Sequence, residues 1–176
     1  MFKVLKNGLI EITINSYIMD IAEQYTKENR VETSNSFLKG SANLEGNLVG
    51  NIGEVLFEFL FPQAKRINSL DYDFILNQRK VDVKSKSIGV NPSLEHEMTV
   101  YSYLLNKQKN DDYAFFMIAK DKSKAWFCGF ISKEEFKQKA HLWRVGDKDK
   151  SFVFKKECYN ITIEKLNRDK EIFNDK

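Results

Sequence analysis

Two acidic residues, Asp73 and Asp82, lie at equal distances from Asn77-Gln78, in a stretch that alternates apolar and polar side chains. Such alternation around a short polar turn predicts a β-hairpin. A two-residue turn, or a four-residue loop from Leu76 to Arg79, would pair Asp73 with Asp82. The other predicted pairs are Leu76 with Arg79, Ile75 with Lys80 and Phe74 with Val81. Directly opposed Cβ atoms lie about 4.5–5.5 Å apart, and like charges there are destabilising. A divalent cation between the carboxylates would remove that repulsion.

A lysine follows the second acid at the spacing that places both on one face of a strand. Val81 and Val83 should face the core, while Asp82 and Lys84 share the other face. Mg²⁺ prefers oxygen ligands and keeps several waters, so one or two carboxylates suffice to hold it. Such a metal, with an ammonium beside it to orient the attacking water, is suited to phosphodiester hydrolysis. Asp71 has the same strand parity as Asp73, but the hairpin register favours Asp73.

A third acid, Glu54, lies on a predicted helix that precedes the hairpin. The helix is expected from about Asn47 to Phe61, ended by Pro62. Glu54 lies close to its apolar face, which favours a functional role over that of a surface acid. Three glycines share one face of this helix. They indicate a frayed helix start, close packing of the helix, or close approach of a nucleic-acid backbone; they are Gly46, Gly50 and Gly53.

The remaining sequence predicts a mixture of strands and helices. A hairpin from Phe2 to Ile14 turns at Asn7-Gly8, and Asn15 or Ser16 caps a helix to about Asn29. A polar stretch, Arg30 to Leu44, predicts a loop. The other predicted strands are Lys65–Asn68, Tyr72–Leu76, Lys80–Lys86, Asp112–Ala119, Ala125–Phe130 and Tyr159–Ile163. Ser132 and Glu135 form a capping box for a helix to about Ala140. Ser87 to Glu97 is expected to be irregular, and Thr99 to Asn110 is ambiguous with a helical second half.

These elements predict one α/β domain, residues 1–176, with a mixed β-sheet flanked by helices. The order of acids along the chain resembles the active-site signature of the PD-(D/E)XK nuclease superfamily: Glu54 on a helix, Asp73 on a hairpin, then Asp82-Val83-Lys84 on the next strand. The segment Gly50-Asn51-Ile52-Gly53-Glu54 is similar to the G-x-x-G-E helix of resolvase-like and phage-encoded members. Asp111–Phe116 and Cys128–Phe136 resemble later core segments of the superfamily. Tyr72 replaces the nominal proline, and Asp82 stands where Glu is usual.

The resemblance implies a restriction-endonuclease-like fold, with a catalytic core at residues 47–140 and an N-terminal hairpin-helix extension at residues 1–44. It implies that Asp73, Asp82 and the Val83 carbonyl ligate Mg²⁺ or Mn²⁺. Lys84 would position the attacking water, and Glu54 would complete the metal shell directly or through water. The implied function is a Mg²⁺-dependent DNA endonuclease. The alternatives are a junction resolvase-type nuclease and a catalytically silent nucleic-acid-binding module on the same fold.

Basic residues are concentrated where the paired acids lie. Residues 63–156 hold nineteen Lys/Arg and twelve Asp/Glu, whereas residues 1–62 hold five and eight. A basic middle segment suits a polyanionic partner such as DNA, although a solvated lysine-rich surface would give the same count. Lys86 continues the face of Lys84 and is a candidate phosphate contact. The other candidate nucleic-acid contacts are Lys107, Gln108 and Lys109, on a predicted helix over the active face. Tyr101 and Tyr103 are candidates for base stacking or for the edge of the core.

Composition and motif searches limit the classes of protein that this sequence could represent. No apolar run is long enough to span a bilayer, and no signal peptide is recognisable, so we expect a cytoplasmic protein (the host-cell cytoplasm for a phage-encoded one) without a membrane partner. Cys128 and Cys158 are too few for a disulfide scaffold. His96-Glu97 lacks the second histidine of a zinc-protease motif, and no phosphate-binding loop or other organic-cofactor motif is present. Cutting both strands of a duplex takes two active sites, which is compatible with a homodimer formed through the N-terminal hairpin and helix.

Overall fold

A central seven-stranded sheet organises the computed structural model, which describes residues 2–33, 44–67, 69–149 and 152–169. The elements are, in chain order, β1 (Phe2–Val4), β2 (Ile10–Thr13), α1 (Ser16–Thr33), α2 (Leu44–Leu60), β3 (Lys65–Arg66), β4 (Phe74–Leu76), β5 (Arg79–Ile88), β6 (Glu97–Tyr101), α3 (Ser102–Lys107), β7 (Asp112–Ala119), β8 (Lys124–Ser132), α4 (Lys133–Lys139), β9 (His141–Trp143), β10 (Lys148–Asp149), β11 (Phe152–Val153) and β12 (Cys158–Thr162). The predicted α/β class with a mixed sheet and flanking helices is confirmed at this level. In the part of the chain described, no helix has the length and apolar character needed to cross a membrane.

The strand order of the central sheet is β1-β2-β8-β7-β5-β4-β3. Its pairs are antiparallel except β5 with β7, which run parallel and are connected through β6 and α3. A bidentate ion pair fixes the start of the parallel pair: Arg79 donates to both carboxylate oxygens of Asp112 at 2.5 and 2.6 Å. The N-terminal hairpin belongs to the same sheet, because β2 pairs with β8. The hairpin β1–β2, predicted as part of an extension at residues 1–44, therefore belongs to the sheet that carries the acids.

Both faces of the sheet are covered by apolar cores, as the continuous apolar sequence of β7 predicts. Ala114, Phe116 and Ile118 face a core shared with α1 and α2. Tyr113, Phe115 and Met117 face a second core on the opposite side. That second core lies beneath α3, α4 and a three-stranded sheet with the order β6-β12-β9. This small sheet resolves the ambiguous stretch Thr99–Asn110, whose first part is strand and whose second part is helix.

Most predicted elements are confirmed, with changes at their ends. The N-terminal hairpin is present, and the Asn15 side chain caps α1 by accepting the Ile18 amide at 3.0 Å. Ser132 caps α4 as predicted, accepting the Glu135 amide. The loop predicted from Arg30 to Leu44 is wrong at both ends. Residues 30–33 still belong to α1, and helix α2 already begins at Leu44. The rest of this predicted loop, residues 34–43, lies outside the described residues. Asn68, at the end of the predicted strand Lys65–Asn68, also lies outside them.

The acidic hairpin turns at the predicted position. Asn77 and Gln78 have φ angles of 48° and 64°, the left-handed conformation that a two-residue hairpin turn requires at both central positions. Three of the four predicted pairs are ladder partners, namely Leu76 with Arg79, Ile75 with Lys80 and Phe74 with Val81. The fourth pair, Asp73 with Asp82, lies beyond the last ladder pair.

Helix α2 approaches β5 so closely at Gly53 that an added Cβ atom would collide with the Ser85 side chain in its present rotamer. A Cβ atom at Gly53 would lie 1.8 Å from the Ser85 Oγ and 3.6 Å from a Val83 methyl group. Close helix packing therefore explains this glycine. Gly50, one turn earlier, has open space around the corresponding position. Because Glu54 follows Gly53, the close approach also sets the distance of Glu54 from β5.

The two glycines give a matched pair of stability predictions. We expect Gly53→Ala to lower the free energy of unfolding by about 1–3 kcal/mol, the usual cost of overpacking a core. Gly50→Ala should raise it by roughly 0.5–1 kcal/mol, because alanine loses less backbone entropy in a helix. Urea denaturation of both variants measures these changes. Adding Ser85→Ala to Gly53→Ala should recover part of the loss; no recovery, or equal effects at the two glycines, would contradict the packing explanation.

Candidate metal and catalytic site

Asp73 lies where β4 separates from β5. Its amide donates to the Val81 carbonyl at 3.0 Å, and its carboxylate Oδ2 accepts the Val83 amide at 2.7 Å. The side chain thus takes the place that another residue of β4 would occupy in a longer ladder. Because the N–H and C=O of one residue point to the same edge of a strand, the Val83 carbonyl also faces this opening. Asp73 is held beside Asp82 by these two bonds rather than by direct cross-strand pairing.

Asp82 is the most deeply buried acid of the group, with 2 % of its surface exposed. Its Oδ2 forms an ion pair with the Lys84 ammonium, as their shared strand face predicts. Its Oδ1 accepts a 2.9 Å hydrogen bond from the Gln108 side-chain amide. Both carboxylate oxygens therefore have fixed partners, and the orientation of Asp82 is set by β5 and by the residue that follows α3.

Glu54 reaches the same region from α2, on the other side of the opening. Its carboxylate accepts a 2.7 Å hydrogen bond from Arg66 of β3, and Arg66 also binds Glu58 at 2.8 Å. The Arg66 guanidinium lies over the ring of Tyr25 on α1, 4.1 Å from its centroid, so α1 also contacts this arginine. Glu54 is thereby directed by an arginine on the edge strand.

Burial and neighbouring charges shift the pKa of three of the predicted residues, Glu54, Asp73 and Lys84. Burial, with the carboxylates of Glu54 and Asp82, raises the pKa of Asp73 well above its ordinary value, and Lys84 and the Val83 amide offset this only in part. Burial also raises the pKa of Glu54, although Arg66 opposes the shift. Burial disfavours the charged form of Lys84, but Asp82, Asp73 and Glu54 outweigh it and raise the pKa of Lys84. Lys84 is therefore an ammonium at neutral pH.

The donors are hard oxygens of the kind that Mg²⁺ prefers, and two of the three acids, Glu54 and Asp82, are held by protein cations. Within the described ranges, no three acidic, histidine or cysteine side chains converge closely enough to enclose a metal. Glu54 is turned toward Arg66, and Asp82 is paired with Lys84. Asp73 uses one oxygen for the Val83 amide, and a carboxylate has further lone pairs for a cation. Two carboxylates and a backbone carbonyl are hard oxygen donors, which fits an ion that keeps several waters.

The predicted nucleic-acid contacts have different environments. Lys86, Lys107 and Lys109 are exposed, and Lys109 lies 3.5 Å from the carboxylate of Asp71. Gln108 is not an exposed contact: only 8 % of its surface is accessible, and its amide binds Asp82. Gln108 follows α3 and turns inward, between two exposed lysines, and its role as a nucleic-acid contact stays a prediction.

Two residues of the site were missed by sequence reasoning. Arg66 binds Glu54 from the edge strand β3, and Lys133, at the start of α4, donates to the Gln108 backbone carbonyl. Neither belongs to a local motif. The only sequence signal for Arg66 is its place as a charged residue in a short strand directly before the acidic hairpin, and Lys133 has none beyond its position after the helix cap.

A scan of the chain against models of known protein families found no match, and a search of curated proteins found no relative.

The raised pKa of Asp73 predicts how the metal-free protein responds to pH. A carboxyl with a higher pKa in the folded state destabilises the fold as pH rises from its ordinary value, about 3.9, through the folded value. Asn lacks this charge but can still accept the Val83 amide. We therefore expect Asp73→Asn to be more stable than wild type at neutral pH in EDTA, with the difference vanishing in acid.

Denaturation series from acid to neutral pH measure this difference. Asp121→Asn serves as the control of opposite sign, because hydrogen bonds from Ser123 lower the pKa of Asp121. That variant should lose stability relative to wild type as pH rises. If Asp73→Asn followed the same direction as Asp121→Asn, the electrostatic description of the site would be wrong.

Proposed function

We propose that this protein is a metal-dependent DNA endonuclease of the PD-(D/E)XK type, with a restriction-endonuclease-like core. One observation carries the proposal: Asp73, Asp82 and Lys84 meet where β4 separates from β5, and Glu54 faces them from α2. The central sheet, with α2 on one face and the α3 crossover between parallel strands on the other, is compatible with such a core.

The proposed metal ligands are the carboxylates of Asp73 and Asp82 with the Val83 carbonyl, and Glu54 lies nearby as a further or water-mediated ligand. When bound, Mg²⁺ would neutralise charge on the phosphoryl oxygens and lower the pKa of a coordinated water. A bound cation would also relieve the repulsion among the three carboxylates. Burial and the carboxylates of Glu54 and Asp82 raise the pKa of Asp73 even with Lys84 nearby, which supports a further cation at this point.

Side chains of the protein would position the phosphate, the attacking water and the metal ligands. Lys84 is held on β5 by Asp82, so its ammonium is fixed beside the site where the phosphate would lie. As a cation, it stabilises negative charge that develops on the phosphoryl oxygens and orients the attacking water through N–H donation. Gln108 holds the Asp82 carboxylate in a single orientation from the side opposite Lys84. The rigid strand and the buried helix end keep these groups in place.

Exposed lysines support DNA as the substrate. Lys86 continues the face of Lys84, and Lys107 and Lys109 flank the inward-turned Gln108. Phosphate contacts of this kind supply sequence-independent affinity that falls with salt. A resolvase-type nuclease would use the same site on branched DNA, and a silent binding module would bind DNA without cutting it. The presence of three acids and a lysine together favours catalysis, since binding alone gains nothing from crowding carboxylates.

The main test is cleavage of plasmid and oligonucleotide substrates with Mg²⁺ or Mn²⁺, in which duplex, branched and single-stranded DNA are compared. We expect EDTA to abolish cleavage and Mg²⁺ to restore it. Asp82→Ala and Lys84→Ala should each lower the rate by about 10²–10³-fold, as loss of a main electrostatic group does. Matched controls, Asp121→Asn and Lys124→Met, change charge in the β7–β8 turn region and should leave the rate unchanged. Equal cleavage by wild type and both site variants would overturn the assignment, and binding without cleavage would favour the silent module.

Gln108 gives a separate prediction about metal binding. Partners that orient a metal ligand typically contribute about 10–100-fold in metal affinity or activity. We therefore expect Gln108→Ala to raise the Mn²⁺ concentration needed for half-saturation by a factor in that range, as measured by Mn²⁺ electron paramagnetic resonance. Lys107→Ala, one residue earlier and exposed, should leave Mn²⁺ binding unchanged while weakening DNA binding. A Gln108→Ala variant with wild-type Mn²⁺ affinity would show that the hydrogen bond to Asp82 does not support the metal site.

A further inference from the structure

A groove of about 690 Å³ runs from the catalytic lysine to the small sheet and the β10–β11 hairpin. Lys84 and Lys86 of β5 form one wall, and β6 with Tyr101 forms another. Phe152 and Phe154 line the groove from the hairpin side. Its volume falls within the range of about 300–1,000 Å³ typical of ligand sites. Because Lys84 belongs to both the groove and the proposed catalytic site, a strand bound at the metal would enter the groove directly.

Partly exposed aromatic side chains lie along this groove. Tyr101 is 40 % exposed and stacks on Tyr103, with ring centroids 6.0 Å apart and planes inclined by 17°. Phe152 is 60 % exposed and contacts Phe154 edge to face at 5.0 Å. Phe154 in turn stacks on Trp143, with ring centroids 4.5 Å apart and planes inclined by 9°. This stacking gives the hairpin side of the groove a rigid support. Large apolar side chains this exposed at the mouth of a groove indicate a surface for a ligand with flat faces.

The charge of the groove suits an anionic backbone. Four lysines line it, Lys84, Lys86, Lys155 and Lys156, against two acids, Glu97 and Asp149. The Glu97 carboxylate already accepts a 2.7 Å hydrogen bond from Asn160, and the Lys86 ammonium donates to the Glu97 backbone carbonyl at 3.3 Å. The Lys156 ammonium lies 5.6 Å from the centre of the Tyr101 ring. A cation is thus placed beside an exposed ring, the combination that binds a phosphate and its base together.

We infer that this groove binds unpaired nucleotides of the DNA strand that is cut, next to the scissile phosphate. The inference rests on the proposed nuclease function and adds the form of its substrate. Bases would stack on Tyr101 and Phe152, while Lys86, Lys155 and Lys156 contact the phosphates. The substrate would therefore be single-stranded DNA, or a flap or bubble with a single-stranded segment at the cleavage site.

An intact duplex does not use such a groove. In a duplex the base faces are covered by their neighbours, and only base edges and phosphates are accessible to protein. Aromatic side chains stack on bases when the strand is unpaired, and each stacked base contributes about 1–3 kcal/mol. The exposed rings therefore favour single-stranded over double-stranded DNA, whereas the lysines alone would serve both.

Fluorescence anisotropy with a labelled oligothymidine, in EDTA and at low ionic strength, tests the inference without any cleavage. We expect wild type to bind the single strand at least about 10-fold more tightly than a duplex of equal length. Tyr101→Ala combined with Phe152→Ala should weaken single-strand binding by about 10-fold or more, the effect of one lost stacking contact or more. Tyr101→Phe should bind as wild type does. Tyr17→Ala, which removes a tyrosine of α1 that is 60 % exposed and lies outside the groove, is the control.

The outcomes separate this inference from the nuclease proposal. Unchanged oligothymidine affinity in the Tyr101/Phe152 double variant, with thermal stability like that of wild type, would overturn the groove assignment even if duplex DNA is cut. Equal loss of single-strand and duplex binding would show a general DNA surface and would also overturn it. Selective loss of single-strand binding supports the groove. In that case, failure of wild type to cleave any substrate in Mg²⁺ would reject the nuclease proposal alone.

Discussion

The hydrogen bond from the Val83 amide to the Asp73 carboxylate is the interaction on which the site depends. Strand β4 ends its pairing with β5 at Phe74, and an unpaired amide at Val83 would be costly to bury. The Asp73 side chain satisfies that amide and lets the two strands separate. The opening produced in this way gives Glu54 access from α2. A longer, regular hairpin would close this edge and leave no place where acids from a helix and two strands can meet.

The site is also a concentration of like charge that the fold tolerates because cations are placed around it. Arg66 and Lys84 neutralise Glu54 and Asp82, but among the residues that the structure describes the direct hydrogen-bond partner of the Asp73 carboxylate is a backbone amide. Buried carboxylates that are crowded in this way leave the protein less stable than it could be. Gly53 is a second feature of the site that lowers stability. A glycine in a helix lowers helix stability, yet here it brings Glu54 within reach of the strands.

Local sequence patterns predict the parts of the site that are made by local structure. The turn at Asn77-Gln78, the shared face of Asp82 and Lys84, and the apolar core strand β7 follow from periodicity and turn chemistry over a few residues. Arg66 and the inward turn of Gln108 do not, because each is fixed by a contact with a residue that is distant in sequence. The sheet β6-β12-β9 joins strands separated by many residues, so periodicity within one strand gives no sign of its partners.

The pairing of β2 with β8 has a consequence for how the protein is made. It joins Ile10 to Phe127 and Thr13 to Lys124, so the N-terminal hairpin cannot take its place in the sheet until β8 has been synthesised. Contacts between residues so distant in sequence form late, because a long loop must close before they can stabilise the fold. The parallel pair β5–β7 must likewise wait for the crossover through β6 and α3. The two acids of the hairpin, Asp73 and Asp82, therefore leave the ribosome well before the framework that positions them, and the nascent hairpin is without its supporting sheet during that interval.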